Sequence, residues 1–178
     1  MSAEQPTDDG FVPGADELLQ RNAEYAARFD DVDLAVAPRR RLAIVACMDS
    51  RMDIFEMLGL AHGEAHVIRN AGGVITDDVI RSLCLSQRKL GTREVILLHH
   101  TDCGLQTVTE DAFKSELEAE LGIKPWWALE SFSDPYADTR QSMRRLQATP
   151  FVPYKQHIRG FVYDVDTGRL GEVTAGSG

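Results

Sequence analysis

The chain of 178 residues is 43% hydrophobic and 26% charged, enough apolar material for one domain with a real core and too short for a second full one. Its 19 basic against 28 acidic side chains give a formal charge of −9, which argues against a protein that grips phosphate backbones, so no nucleic acid partner is expected. The longest purely apolar run, Leu42 to Met48, is far below the ~20 residues that span a bilayer, and the acidic start lacks the layout of an export signal, so a cytoplasmic protein with no membrane partner is expected.

Residues 1–13 are polar and interrupted by Pro6, Gly10 and Pro13, which predicts a flexible arm. From Ala15 to about Phe29, Leu18, Leu19, Tyr25, Ala26 and Phe29 recur at helical spacing among charges, so this amphipathic helix must find a surface to cover. Short apolar runs then alternate with helical segments: strand Leu42–Met48, helix Asp53–Leu58, strand Ala65–Arg69, helix Asp77–Leu90 and strand Glu94–His99. Such alternation predicts an α/β fold whose mostly parallel central sheet is flanked by helices, because each long crossover returns the chain to the same end of the sheet. Thr76 is placed to cap the Asp77–Leu90 helix, with Asp77 and Asp78 in its first turn where the helix dipole favours negative charge. Helices follow at Asp111–Leu121 and Pro135–Gln147. The runs Ile158–Asp164 and Leu170–Val173, joined by Asp166-Thr167-Gly168, predict a C-terminal antiparallel hairpin. Residues 14–174 thus read as a single domain, and 175–178 as a flexible tail.

Three cysteines are an odd number for a disulfide scaffold, and in a reducing compartment thiol chemistry or metal ligation is the better use. Cys47 falls at the carboxyl end of the first strand; Cys103 falls just past the third, three residues after His100. Ligands of open parallel sheets bind outside the carboxyl strand ends, so these donors converge on one spot. Two thiolates and an imidazole suit Zn2+, one per chain, and leave a fourth corner for water or a carboxylate. Asp49 can fill that corner or accept a hydrogen bond from the water there; the planar fork of Arg51 can hold the carboxylate off the metal.

The set Cys47-x-Asp49-x-Arg51, Arg69-Asn70-Ala71-Gly72-Gly73 and His100-x-x-Cys103 resembles the β-class carbonic anhydrases, and the His-Thr-Asp-Cys-Gly wording is most similar to the small mycobacterial and actinobacterial branch. The resemblance is dense from Arg41 to Gly104 and looser in the C-terminal hairpin. It implies zinc on Cys47, His100 and Cys103, an Asp49–Arg51 catalytic dyad, and reversible hydration of carbon dioxide to bicarbonate by zinc-bound hydroxide. It further implies that Asp49 ligates the metal only in an inactive closed form, and that the N-terminal helix packs on a partner subunit in a homodimer or higher homo-oligomer. Hydrolysis of carbonyl sulfide or carbon disulfide by the same machinery is the alternative for this small neutral substrate, and a catalytically silent zinc-binding module closed by Asp49 is a further one. The pocket-lining aromatic and Gln residues of the longer plant-type members have no motif counterpart here.

Other residues take plainer readings. Cys84 lies on an apolar helix face and reads as core; His99 points to the opposite face of its strand from His100. His62, His66 and His157 have no partnered motif and read as surface or loop residues. Asp102 is expected to shape its turn or bond amides there, Gly72 and Gly73 to serve a turn, and Trp126 and Trp127 to pack on the partner subunit. A cysteine phosphatase or sulfurtransferase, suggested by Cys47 ending a strand before an arginine, is opposed by Asp49, which would repel an anionic substrate.

Overall fold

A computed structural model describes residues 10–174; the expected tail 175–178, and the arm over 1–9, lie outside the described residues. Strands β1 (Leu42–Cys47), β2 (Ala65–Asn70), β3 (Glu94–His100), β4 (His157–Tyr163) and β5 (Leu170–Val173) form one sheet in the order β2-β1-β3-β4-β5. The first four are parallel, and β5 runs antiparallel to β4. The hairpin between them is held by the Asp164 carboxylate, which accepts from the amides of Asp166 and Thr167, both at 3.0 Å. The helices are α1 (Ala15–Ala26), α2 (Ile54–Leu58), α3 (Asp77–Lys89), α4 (Glu110–Leu121) and α5 (Pro135–Ala148). Element ends differ from the sequence expectation by one to three residues: β1 stops at Cys47, β3 continues through His100, and α1 ends at Ala26.

The local signals act as expected. Thr76 accepts from the Val79 amide at the start of α3, Asp53 caps α2, and Asp134 caps α5 with Pro135 in its first turn. Every residue of β1 is buried, as befits a central strand covered on both faces. Alternation divides its side chains: Ala43 and Val45 join Val79 and Leu83 of α3 and Met143 and Leu146 of α5 in one cluster, while Leu42, Ile44 and Ala46 join Met52 and Ile54 in the other. Fully burying a side chain such as Leu83 or Leu97 stabilises by about 1.5–3 kcal/mol. Helix α5 lies so close on β4 that a Cβ at Gly160 would stand 2.4 Å from Thr139 Cγ2.

Helix α1 buries none of its residues. Leu18 and Leu19 are 63% and 66% exposed, so its apolar face has no cover among the described residues of the protomer. Among the described residues no helix is long and apolar enough to cross a membrane.

Candidate metal centre

Strand order reverses at β1, which has β2 on one side and β3 on the other, and the carboxyl ends of β1 and β3 therefore open a crevice at the switch point. Cys47 ends β1 and His100 ends β3. Period-two alternation sends the two adjacent histidines apart: His99 Nε2 meets the Asp138 carboxylate of α5 at 2.7 Å, and His100 turns to the other face, toward Cys47. Cys103 arrives by a tight turn in which Asp102 takes a left-handed conformation, φ +55°. Gln106 fixes that turn, accepting from the Cys103 amide and donating to the Ser133 carbonyl, each at 3.0 Å.

The two Sγ atoms and one imidazole nitrogen lie within 4.8 Å of one another, and all three residues are buried. His100 Nδ1 is 2.8 Å from the Thr101 carbonyl oxygen, which can only accept, so Nδ1 carries the hydrogen and the Nε2 lone pair is left for another partner. Nε2 is buried with no hydrogen-bond partner among the described residues. An orphaned imidazole nitrogen beside two sulfurs fits a zinc-type ion in donor number and softness. The thiols are already polarised. A hydrogen bond from Cys103, aided by the amides of Asp49 and Gly72, outweighs burial and brings Cys47 down to about 4. The same Cys103–Cys47 hydrogen bond, with burial, pushes the Cys103 thiol up.

The Gly72 amide donates to Cys47 Sγ at 3.3 Å. That approach needs both glycines of the Ala71–Gly73 turn: φ is +79° at Gly72 and +70° at Gly73, and a Cβ on Gly73 would stand 2.8 Å from the Cys47 nitrogen and 2.9 Å from the Leu98 oxygen. Beneath it, Arg69 donates from Nε to the Cys47 carbonyl at 2.9 Å and from Nη2 to the Asp49 carbonyl at 2.6 Å, pinning the loop that follows β1.

Asp49 Oδ2 lies 3.7 Å from His100 Nε2, at the edge of the donor cluster. Arg51 holds it there with a two-pronged grip, Nε to Oδ1 at 2.9 Å and Nη2 to Oδ2 at 2.8 Å, and the Arg51 amide adds a third bond to Oδ1. Those bonds keep the Asp49 carboxyl well below the usual carboxylate range. It is therefore an anion and an acceptor at any physiological pH.

The carbonic anhydrase family profile matches residues 42–170, from the first residue of β1 to the first of β5. The chain is 57% identical over 159 residues to a protein of Mycobacterium tuberculosis named beta-carbonic anhydrase 1, covering 89% of this chain and 97% of that one. The chain belongs to the β-carbonic anhydrase family. Among solved structures, the carbonic anhydrase of Streptococcus mutans is 42% identical with a TM-score of 0.86, covering 92% of this chain and 99% of that one. A protein of an Acidianus species named carbon disulfide hydrolase is 32% identical over 180 residues, 87% of this chain and 86% of that one.

Within this β-carbonic anhydrase chain, some residues stand as their sequence readings have them and others do not. Asp102 does shape its turn, but its carboxylate meets Arg51 Nη1 at 2.8 Å. His66 is part of β2, with Nδ1 2.8 Å from Ser86 Oγ, and exposed His62 is paired with Asp31. Cys84 is only half-buried; with Ile80 of α3 and Ala148 and Phe151 beyond, it lines a groove of about 710 Å³. Trp126 is 93% exposed. The sequence marks Arg69–Gly73 as a motif but not the Gly72 amide contact or the Arg69 clamp, since both engage backbone or sulfur atoms brought together only at the sheet ends.

Proposed function

We propose that this chain catalyses the reversible hydration of carbon dioxide to bicarbonate, with Cys47, His100 and Cys103 holding one zinc ion. The observation that carries the reading is the pairing of a buried three-donor cluster with a carboxylate held beside it by Arg51. When bound, zinc supplies a Lewis acid that lowers the pKa of water at an open position from 15.7 toward about 7, less strongly with two thiolate donors than with three imidazoles, which favours an alkaline optimum.

The chain's own residues do the rest. Asp49, ionised and fixed, accepts a hydrogen bond from the attacking water and aims its oxygen lone pair at the carbon; with its pKa held well below the usual carboxylate range it orients the water without taking up the proton, which leaves to solvent. Arg51 is the positioning residue that fixes Asp49 in this role, and the Gly72 amide steadies the charge on Cys47. The neighbouring apolar side chains Val74, Leu105 and Phe132 suit a small neutral substrate and exclude bulk water.

The same donors could serve hydrolysis of carbonyl sulfide or carbon disulfide, a second reading favoured by the similarity to the protein named carbon disulfide hydrolase, at lower identity than to the carbonic anhydrase. The grip of Arg51 on both Asp49 oxygens speaks against a silent module closed by that carboxylate. The uncovered face of α1 supports a homodimer or higher homo-oligomer, with the helix packed on the partner; a cytoplasmic location agrees with unpaired cysteines. Stopped-flow hydration with a pH indicator, run beside a sulfide-release assay on one zinc-analysed preparation, tests the proposal. About one zinc per chain and hydration faster than sulfide release are expected; no acceleration of hydration from neutral to alkaline pH would refute it.

A further inference from the structure

Arg51 touches two segments that are distant in sequence. On one side its Nε and Nη2 hold Asp49, in the loop after β1. On the other, Nη1 donates to Asp102 Oδ2 at 2.8 Å and Nη2 donates to the Asp102 carbonyl at 2.9 Å, in the turn after β3. The guanidinium is thus clamped between two carboxylates, and the loop that delivers Cys47 is tied to the turn that delivers Cys103. The left-handed backbone at residue 102 makes this possible, because it turns both the carbonyl and the side chain of a residue lying between two donors of the cluster back toward Arg51. Asp and Asn are the non-glycine residues that tolerate that conformation best.

From this geometry we infer that Asp102 is a positioning residue for the hydration reaction: it anchors Arg51 from the β3 side, so that Arg51 can keep Asp49 aimed at the attacking water and away from the donor cluster. An arginine held by one carboxylate can swing with it; held by two on different loops, it cannot. The Asp102 carboxylate is 77% exposed, and an ion pair so open to water adds little to stability. Its effect lies in where it fixes the guanidinium, and loss of Asp102 would free Asp49 to close on His100, whose Nε2 now lies 3.7 Å from Oδ2. The inference rests on the function proposed above.

Two variants separate the side chain from the turn. Asp102→Gly keeps the left-handed backbone and removes the anchor; Asp102→Asn keeps backbone, shape and one acceptor while removing the charge. Both are to be compared with wild type as full-length, zinc-loaded protein for metal content, for kcat and KM of carbon dioxide hydration, and for hydrogen exchange at the Arg51 Nε–H observed by 15N NMR. The expected result is unchanged metal content and KM, a kcat lowered about tenfold in Asp102→Gly and less in Asp102→Asn, and Arg51 Nε–H exchange roughly tenfold faster in Asp102→Gly, with Asp102→Asn between. Unchanged exchange in Asp102→Gly overturns the inference, whether or not turnover or metal is lost, because Asp102 would then act on the Cys103 turn and not through Arg51. Faster exchange with wild-type kcat overturns it equally. A wild-type protein that does not hydrate carbon dioxide sinks the functional proposal alone: the exchange comparison reads the Asp102–Arg51 anchor without turnover.

Discussion

Gly73 lies against Cys47 so closely that a single added carbon would meet the Cys47 nitrogen at 2.8 Å and the Ala46 carbonyl carbon at 2.9 Å. The atoms it would strike belong to the backbone of the central strand, which cannot step aside as a flexible side chain could.

Gly73→Ala is therefore expected to be severe. Left-handed backbone costs a non-glycine residue about 1–2 kcal/mol, and overpacking adds about 1–3 kcal/mol, for a total of about 2–5 kcal/mol in urea unfolding. Relief of the clash would lift the turn and carry the Gly72 amide off Cys47 Sγ, so metal retention in dialysis should weaken as well. A Gly73→Ala protein as stable as wild type would show that the turn is free to move.

Arg51→Ala removes the fork that holds Asp49 at both oxygens. Turnover is expected to fall between about ten- and a hundredfold while metal stays bound, the range seen when a residue supporting a metal site is lost. Arg51→Lys should recover little, because an ammonium is a point donor and cannot reach Asp49 twice and Asp102 twice at once. Steady-state hydration kinetics with metal analysis on the same samples check this; a lysine variant with wild-type kcat would reduce the fork to a simple charge.

How far the site was legible follows from the kind of contact involved. Cys47 and His100 could be placed at strand ends because apolar runs mark parallel strands, and the parity of β3 was enough to separate His100 from His99. The ends of β1 and β3 came out one residue off, since hydrogen bonding to a neighbouring strand decides where a strand stops. Asp102 bonded to Arg51, Arg69 bonded to two carbonyls, and the Gly72 amide on sulfur were hidden: each joins strand ends or the loops that follow them, and the Asp102 and Gly72 contacts depend on positive φ at residues 72, 73 and 102, which no periodicity reports. Cys84 was misplaced by a similar limit, because a helix face that looks apolar can still border an open groove.

Removing the metal should cost stability as well as activity. A buried His100 Nε2 without a partner and two neighbouring sulfurs are left facing one another when no ion joins them. Free zinc at about a hundred times its dissociation constant adds about 2.7 kcal/mol, which for a chain of this size moves the midpoint by about 5–10 °C. Calorimetry before and after chelation, and again after zinc is returned, should show that drop and its reversal. An unchanged midpoint would mean that the cluster is satisfied without an ion.

Glu64 gives a pH test away from the centre. Its carboxylate accepts from the Ala61 amide at 3.0 Å and pairs with Arg40 and Arg39, both at 3.1 Å, tying the segment before β1 to the turn before β2. The Ala61 amide, followed by the two arginines, lowers its pKa from 4.5 to about 2. Because the folded value is the lower one, the stabilisation is fully present above about 4.5 and fades as pH falls through about 2. Glu64→Gln should accordingly melt below wild type at pH 7, with the gap closing between pH 4.5 and 2. A gap independent of pH would assign the effect to shape and hydrogen bonding, not charge.

Leu18 and Leu19 test the assembly. On an isolated protomer they are exposed, and replacing an exposed leucine changes stability by no more than about 0.5 kcal/mol. In an oligomer whose α1 packs on a neighbouring subunit, the same replacements set charges in an apolar interface, at several kcal/mol per unpaired buried charge. The double variant Leu18→Glu, Leu19→Glu should therefore sediment as a monomer at micromolar concentration where the wild type sediments as a dimer or larger. Should both sediment alike, the exposed face of α1 would belong to the protomer as it stands, and the contacts between subunits would lie on another surface.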